Sequence, residues 1–326
     1  MIKRQPVLVA IDHATDVERT MNAAFRTARA RRADVRVIRV VPHRAARIDD
    51  FGRGAFGPHD QHRAGLEARL ESFLRSADHD GLRVQRLTLR GEPEKVVPAY
   101  AQLHEATLLV TEQNYGSSRL WRNGRVVDEL VRQSPMPVLV LPERRRREGE
   151  APALRRILAS VDFSVASGIA IRIAVDLSRR HGARVTLLHA MTNVPPRMVY
   201  SGSEALEVVR QLPARGRAVA ERLRRKAAFF GANDVETEVV TGTADGAILE
   251  SATRSEADLI VMGIANRSWL DRALFGSTLR RVLRRATVPV LAVPVVAGGR
   301  AWPDEAPGER IGRSERTNSA VEPVAA

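Results

Sequence analysis

The chain lacks cysteine, has few lysines and aromatic residues, and contains no long hydrophobic run. Because cysteine is absent from all 326 residues, disulfide frameworks, thiolate metal sites and cysteine nucleophiles are excluded. Aromatic residues make up only 4% of the chain, so Val, Leu, Ile and Ala must form most of the core. No apolar run approaches the roughly 20 residues of a membrane span, and residues 1–13 turn polar too early for a signal peptide. The sequence therefore predicts a cytoplasmic protein without a membrane-spanning segment.

What the chain has in excess is arginine. Its formal net charge is +14, although Lys3, Lys95 and Lys226 are the only lysines. Clustered cations can bind nucleic acid by releasing counterions from its phosphates, but no aromatic-and-basic strand or helix-turn-helix pattern accompanies the charge. Nucleic acid is therefore not expected as a partner. The length, together with 44% hydrophobic residues, predicts two domains of about 100 to 200 residues each.

Two halves of the sequence follow the same pattern. Each opens with a short apolar run that ends in Asp, PVLVAID (6–12) and RILASVD (156–162). Each closes with an apolar run between prolines, PMPVLVLP (135–142) and TVPVLAVP (287–294). Such runs are typical of strands buried on both faces of a parallel sheet. The chain is therefore interpreted as a tandem repeat with a unit of roughly 140 residues.

Strand and helix patterns alternate between these ends, which predicts an α/β fold. The expected fold class is two tandem, doubly wound, five-stranded parallel sheets of the Rossmann-like type, paired about a pseudo-twofold axis. The second half predicts inner strands at 183–190, 235–242 and 258–263 and helices at 166–181, 203–230, 244–255 and 278–285. The first half predicts inner strands at 34–41, 82–91 and 106–111 and helices at 62–77 and 94–104.

The closing strands would leave apolar sheet edges, and such edges recruit further strands unless they are covered. Two similar copies in one chain can cover each other, which predicts antiparallel pairing of the two closing strands as an internal pseudo-dimer. Dimerisation of the whole chain stays open. The predicted domains are residues 1–142, a charged linker at 143–153, a second domain at 154–296 and a tail at 297–326. Because the tail is polar and bears Gly and Pro, it is expected to be disordered.

Ligands of open parallel sheets bind beyond the carboxyl ends of the strands, where the strand order reverses. In the second half the residues at these ends are Asp162, Ala190, Gly242 and Gly263. After Gly263, read as a turn glycine, a loop leads to Gly276-Ser277-Thr278 at a predicted helix start. This segment suits a phosphate. Gly276 leaves main-chain amides unobstructed, Ser277 and Thr278 offer hydroxyl groups, and the positive end of the helix dipole attracts an anion. An ordinary turn followed by an ordinary helix cap is the alternative interpretation.

In this context the second half resembles the universal stress protein family, in its tandem form. The family signature is Gly-x2-Gly-x9-Gly-Ser/Thr, and Gly263, Asn266, Gly276 and Ser277 fall on its spacing. The resemblance covers residues 6–142 and 155–295. Asn266 departs from it, because the ATP-binding pattern has glycine there. Asn is the residue that most readily replaces glycine at positive φ, although its side chain then occupies space near the ligand.

The resemblance implies an adenine-nucleotide site in the second domain. Asp162 would lie by the adenosine or a bound metal, and Ala190 would line the adenine pocket. Met262 and Gly263 would flank the ribose and phosphates, which would be held by Gly276, Ser277 and Thr278. The implied cofactor is ATP, with AMP or ADP as alternatives and with Mg or Mn accompanying the nucleotide.

The corresponding segment of the first half is predicted to be degenerate. Gly124 aligns with Gly276, but Arg125 replaces the serine and Glu112 replaces the first glycine. A carboxylate would repel a phosphate there, whereas Arg125 could attract the anion or pair with Glu112. Asp12 is interpreted as a strand-end or helix-capping residue.

The first functional hypothesis is therefore an ATP-binding universal stress protein with a regulatory or stress-protective role. The second is an interaction module with vestigial pockets that engages a protein or RNA partner. An ATP-consuming enzyme ranks last, because no positioned base is recognisable and any turnover should be slow. His189, at a strand end, is interpreted as a packed histidine rather than a base.

Overall fold

The computed structural model describes residues 5–12, 14–41, 58–77, 81–114, 126–143, 153–191, 202–232, 234–264 and 277–295. Within these ranges the backbone alone is described for 58–64 and 202–212. The expectations for the tail at 297–326 and for most of the linker lie outside the described residues. Among the described helices, none combines the length and the apolarity that crossing a membrane requires.

The described residues contain ten strands, which form one continuous sheet in the order β3-β2-β1-β4-β5-β10-β9-β6-β7-β8. Strands of the first half are β1 (Val7–Ala10), β2 (Val35–Val41), β3 (Val84–Arg90), β4 (Leu108–Glu112) and β5 (Val138–Leu141). Those of the second half are β6 (Arg156–Ser160), β7 (Arg184–Met191), β8 (Glu236–Thr241), β9 (Leu259–Ile264) and β10 (Val290–Pro294). Within each half all pairings are parallel. The predicted α/β class is confirmed.

Eight helices connect the described strands. They are α1 (Val17–Arg31), α2 (Pro58–Ser76), α3 (Pro93–Leu103), α4 (Val126–Gln133), α5 (Val165–His181), α6 (Gly202–Phe229), α7 (Ala244–Arg254) and α8 (Ser277–Arg285). Three begin at a side-chain cap, because Asp16, Ser164 and Thr243 each accept a hydrogen bond from the amide three residues on. The predicted helices agree with these bounds, apart from α2, which begins four residues earlier than expected.

The sheet is covered on both faces by helices. One buried cluster joins the sheet to α1, α2, α5 and α6, and includes Met21, Phe25, Ile171 and Leu223. The other joins the opposite face to α3, α4, α7 and α8, and includes Val97, Leu130, Ile248 and Val282. Strands in the middle of the sheet are therefore buried on both sides, which is why their sequences read as continuous apolar runs instead of alternating ones.

The two halves meet at the closing strands. β5 and β10 pair antiparallel, with Leu139 opposite Leu291, as predicted from their apolar character. The contact continues beyond the sheet, where Arg284 of α8 donates to the carboxylate of Asp128 of α4 over 3.0 Å. The halves thus share one sheet about a pseudo-twofold axis. The strands of the two halves run in opposite directions, so their carboxyl ends lie on opposite sides of the molecule.

Candidate functional site

Each half reverses its strand order at one point. In the first half the reversal lies between β1 and β4, and in the second half between β6 and β9. In doubly wound sheets this switch point opens a crevice at the carboxyl ends of the strands. In the second half the crevice lies where β6 leads to α5 and β9 leads towards α8. This arrangement brings Asp162, Gly263 and the start of α8 to one edge.

Asp162 follows β6 and shapes the turn into α5. Its Oδ1 accepts a hydrogen bond of 2.9 Å from the amide of Ser164, which caps the helix. Partial burial raises the pKa of Asp162, but hydrogen bonds from Ser164 and Ser167 outweigh it and leave the pKa below its usual value. The carboxylate is exposed and stays charged at neutral pH. Asp12 occupies the equivalent turn, where its Oδ1 accepts from the amide of Ala14. Of its two predicted roles the strand-end one is confirmed and the helix-capping one is wrong, because Asp16 caps α1.

An aromatic and cationic stack lies beside Asp162. Phe163 has a left-handed backbone with φ of 62°, and its ring centroid is 4.9 Å from that of His189. The guanidinium of Arg222 on α6 lies over the Phe163 ring at 3.9 Å. His189 is held through Nδ1, which is 2.7 Å from the carbonyl oxygen of Val161, in agreement with its interpretation as a packed residue. Next to it in β7, Ala190 is half-buried.

Gly263 lies inside β9, which continues to Ile264, and the turn predicted at this glycine is wrong. The reason for glycine here is close packing. A Cβ at this position would lie 2.3 Å from the carbonyl carbon and oxygen of Ala166 and 2.7 Å from the amide nitrogen of Ser167. β9 therefore touches the first turn of α5 directly, and Met262 is buried on the strand beside it.

Strand register identifies Glu112 as the counterpart of Gly263. Glu112 pairs with Leu141 of β5 as Gly263 pairs with Val293 of β10. The helix that follows each opening strand differs accordingly. α5 begins at Val165, three residues after Asp162, whereas α1 begins at Val17, five residues after Asp12. A side chain at position 112 is accommodated because α1 begins two residues later, relative to its Asp, than α5 does.

The Glu112 carboxylate fills the space that this displacement creates. Its side chain is fully buried, and Oε2 accepts from the amide of Asp16 at 3.0 Å. Oε1 accepts from Arg19 Nη2 at 2.5 Å and from the Thr20 hydroxyl at 2.9 Å. Burial raises the pKa of Glu112, and these donors, Arg19 foremost, only partly offset it. The partner of this carboxylate is thus Arg19, whereas Arg125, named from the sequence, lies outside the described residues.

The helices that follow the fourth strand of each half begin with opposite charge. The first turn of α4 contains Asp128 and Glu129. The first turn of α8 contains no acidic residue, and aligning Gly124 with Gly276 places Arg280 and Arg281 opposite the two carboxylates. Ser277 at the start of α8 is exposed and Thr278 is half-buried. The first turn of α8 therefore lacks the carboxylates that, in the first turn of α4, oppose an anion at the positive end of the helix dipole.

Two residues of the predicted site, Asn266 and Gly276, lie outside the described residues, as does Gly124 in the first half. Asp162, Ala190, Met262, Gly263, Ser277 and Thr278 are described, and the fold places them around one switch point. Sequence reasoning missed Phe163 and Arg222. The sequence offered no signal for either residue beyond the position of Phe163 between a predicted strand and a predicted helix, because the ring contacts come from β7 and α6.

The two doubly wound halves, with one switch point each, define a tandem α/β protein. The model of the universal stress protein family matches residues 3–142 and 153–294. A universal stress protein of Methanocaldococcus jannaschii is 29% identical over 140 residues, 43% of this chain and 81% of that protein. One of Mycobacterium bovis is 26% identical over 178 residues, 52% of this chain and 58% of that protein. The chain belongs to the universal stress protein family.

Solved structures agree with the fold. The universal stress protein of Archaeoglobus fulgidus superposes with a TM-score of 0.59 at 16% identity, over 89% of this chain and 96% of that one. A protein of unknown function from Pseudomonas aeruginosa superposes with a TM-score of 0.60 at 19% identity, over 90% and 93%. At this level of identity the similarity concerns the fold alone.

Proposed function

We propose that the second domain binds ATP or another adenine nucleotide at the β6–β9 switch point, and that the protein uses this binding in a regulatory or stress-protective role. The observation that carries the proposal is the start of α8, which presents Ser277 and Thr278 and no carboxylate in its first turn. A helix N-terminus of this kind attracts phosphate through its amides and its dipole.

The first domain supports the proposal by contrast. Glu112 fills the position of Gly263 and bonds the start of α1, while Asp128 and Glu129 stand in the first turn of α4. Glu112 thus takes up space that the glycine leaves free at the second switch point, and the carboxylates at the start of α4, although paired with Arg284 and Arg132, oppose a phosphate at that helix end. We infer that only the second domain takes the nucleotide.

A divalent ion would depend on the nucleotide. Within the part of the chain that the structure describes, no three His, Asp or Glu side chains come together as a metal site. Asp162 is a single exposed carboxylate at the edge of the crevice. Mg²⁺ is commonly held by one or two carboxylates together with substrate phosphates, so Asp162 fits as a protein ligand of a nucleotide-bound ion and as no more than that.

Replacing Ser277 by aspartate should weaken ATP binding by about 100-fold, because a carboxylate would then face the phosphates. Aspartate in the first turn also favours the helix, so the thermal midpoint should not fall. Isothermal titration calorimetry with MgATP measures the affinity. The matched control is Arg125→Asp at the equivalent position of the first domain, which should leave ATP affinity unchanged.

The rival hypothesis, an interaction module with vestigial pockets, gives a different result in the same experiment. It predicts no heat of ATP binding in the unmodified protein and no nucleotide released on denaturing freshly purified material. Mass spectrometry of the supernatant after denaturation detects any released nucleotide. If both substitutions weakened ATP equally, the assignment to the second domain would be wrong.

A further inference from the structure

An arginine of α6 lies over the turn that leads from β6 into α5. The guanidinium of Arg222 is 3.9 Å from the centroid of the Phe163 ring. The first half has an equivalent arginine, because Arg69 on α2 reaches the turn between β1 and α1 and donates to the carbonyl oxygen of Thr15 over 3.1 Å. Each arginine directly precedes a buried leucine of its own helix. The two arginines thus occupy equivalent places in the two domains.

The two arginines differ in the group that they contact. In each half this group belongs to the residue just before the cap of the following helix. Thr15 offers its carbonyl oxygen to Arg69, whereas Phe163 offers only its ring to Arg222. Within the part of the chain that the structure describes, Arg222 makes no hydrogen bond or ion pair, and its side chain is exposed. Its N–H groups and the outer face of its guanidinium are therefore available to a ligand.

The Phe163 ring that carries this guanidinium is anchored to the sheet. Its centroid is 4.9 Å from that of His189 in β7, and Nδ1 of His189 is 2.7 Å from the carbonyl oxygen of Val161. The φ of Phe163 is 62°, a left-handed conformation that is rare for a bulky residue and that concentrates at ligand sites. The position of Arg222 is therefore fixed relative to Asp162, which precedes Phe163 in the same turn.

Arg222 and the start of α8 approach the second switch point from opposite faces of the sheet. α5 and α6 cover one face, and α7 and α8 cover the other. In the proposed function the phosphates lie at the start of α8, so a nucleotide that crosses the carboxyl ends of the strands would place its base on the side of α6. On that side the guanidinium of Arg222 lies over the neighbour of Asp162, the residue expected beside the adenosine.

We propose that Arg222 is the base-stacking residue of the second domain, with the purine ring of the nucleotide on the outer face of its guanidinium and Phe163 on the inner face. This inference rests on the proposed function and adds the residue that selects the base. A guanidinium is planar and weakly hydrated, and it stacks on aromatic rings and on nucleotide bases. Because a purine has two fused rings, it covers more of the guanidinium than a pyrimidine does. The stack therefore favours ATP over CTP.

The test is calorimetric titration of the full chain with MgATP, MgCTP and inorganic tripolyphosphate. The two nucleotides share their phosphates and differ in the base, and tripolyphosphate has no base. The unmodified chain should bind MgATP about 10-fold more tightly than MgCTP, the effect expected of one stacking contact. Arg222→Ala should weaken MgATP by about 10-fold for the same reason, and should change the affinities for MgCTP and tripolyphosphate by no more than about twofold.

A second variant separates stacking from charge. Arg222→Lys keeps the positive charge but has no planar group, so it should lose MgATP affinity as Arg222→Ala does. The matched control is Arg69→Ala, which removes the equivalent arginine of the first domain and should bind all three probes as the unmodified chain does. Because Arg222 is exposed, its variants should fold with a thermal midpoint close to that of the unmodified chain, so that a loss of affinity reports on the ligand contact.

Three results would each overturn the stacking role and leave the proposed function standing. The first is equal affinity of the unmodified chain for MgATP and MgCTP. The second is an equal loss of MgATP, MgCTP and tripolyphosphate affinity in Arg222→Ala, since Arg222 would then contact the phosphates. The third is full MgATP affinity in Arg222→Lys. If the unmodified chain bound neither MgATP nor tripolyphosphate, the proposed function itself would be wrong, and this inference with it.

Discussion

Replacing Glu112 by alanine is expected to lower the free energy of unfolding by about 3 to 5 kcal/mol, the range seen when one partner of a buried ion pair is removed. The Arg19 side chain is only 10% exposed, so its charge would remain buried without its carboxylate. The amide of Asp16 and the hydroxyl of Thr20 would also lose their acceptor. Urea unfolding followed by circular dichroism measures the change.

The control for this prediction is an ion pair at the surface. Glu71 and Arg86 are paired at 3.1 Å with about half of each side chain exposed, and such pairs contribute about 0 to 1 kcal/mol. Glu71→Ala should therefore have a small effect. A combined Arg19→Leu and Glu112→Leu variant should recover part of the loss, because it removes both charges together. Equal effects of Glu71→Ala and Glu112→Ala would contradict a stabilising role of the buried pair.

Gly263→Ala is the second large effect that we expect, a loss of about 3 kcal/mol or more. The new Cβ would lie 2.3 Å from the backbone of Ala166, and neither β9 nor the first turn of α5 can move without disturbing a packed core. Thermal and urea unfolding measure the loss. Because the same turn borders the switch point, the variant should also bind ATP more weakly in calorimetry.

Gly168, in the first turn of α5, supplies the matched control. Among the described residues outside its own helix backbone, a Cβ there would come within 4 Å of Lys226 Nζ alone, at 3.6 Å. Alanine favours a helix over glycine by roughly 0.5 to 1 kcal/mol, so Gly168→Ala should be neutral or stabilising. If Gly263→Ala proved as harmless as Gly168→Ala, close packing would not be the reason for this glycine.

The sequence was sufficient for the repeat, the order of elements and the antiparallel seam. Each of these depends on local composition: apolar runs that end in Asp, prolines that bracket the closing strands, and alternation of strand and helix patterns. The pairing of β5 with β10 follows from two apolar edges that need cover, which is a property of the runs themselves. The residues of the proposed site could be grouped from sequence because each lies at or after the carboxyl end of a strand, and these ends lie side by side in a parallel sheet.

Features that depend on distant contacts were not predictable. Gly263 reads locally as a turn glycine, and only the approach of α5 to β9 shows that it packs within a strand. Glu112 reads as a carboxylate facing a ligand, but its partner Arg19 is 93 residues away in sequence. A cavity of about 400 Å³ where the two halves meet could not be predicted either, because residues from both halves line it.

The antiparallel seam has a further consequence for how this chain could diverge. In a homodimer of identical subunits every substitution occurs twice, so a carboxylate in one crevice would appear in both. Covalent fusion across β5 and β10 removes that constraint, since each strand now meets a different sequence. The two halves differ accordingly, since the first holds the buried Glu112–Arg19 pair at its switch point and the first turn of α8 in the second contains no carboxylate. A single chain can therefore carry two unlike switch points, which a dimer of identical subunits cannot.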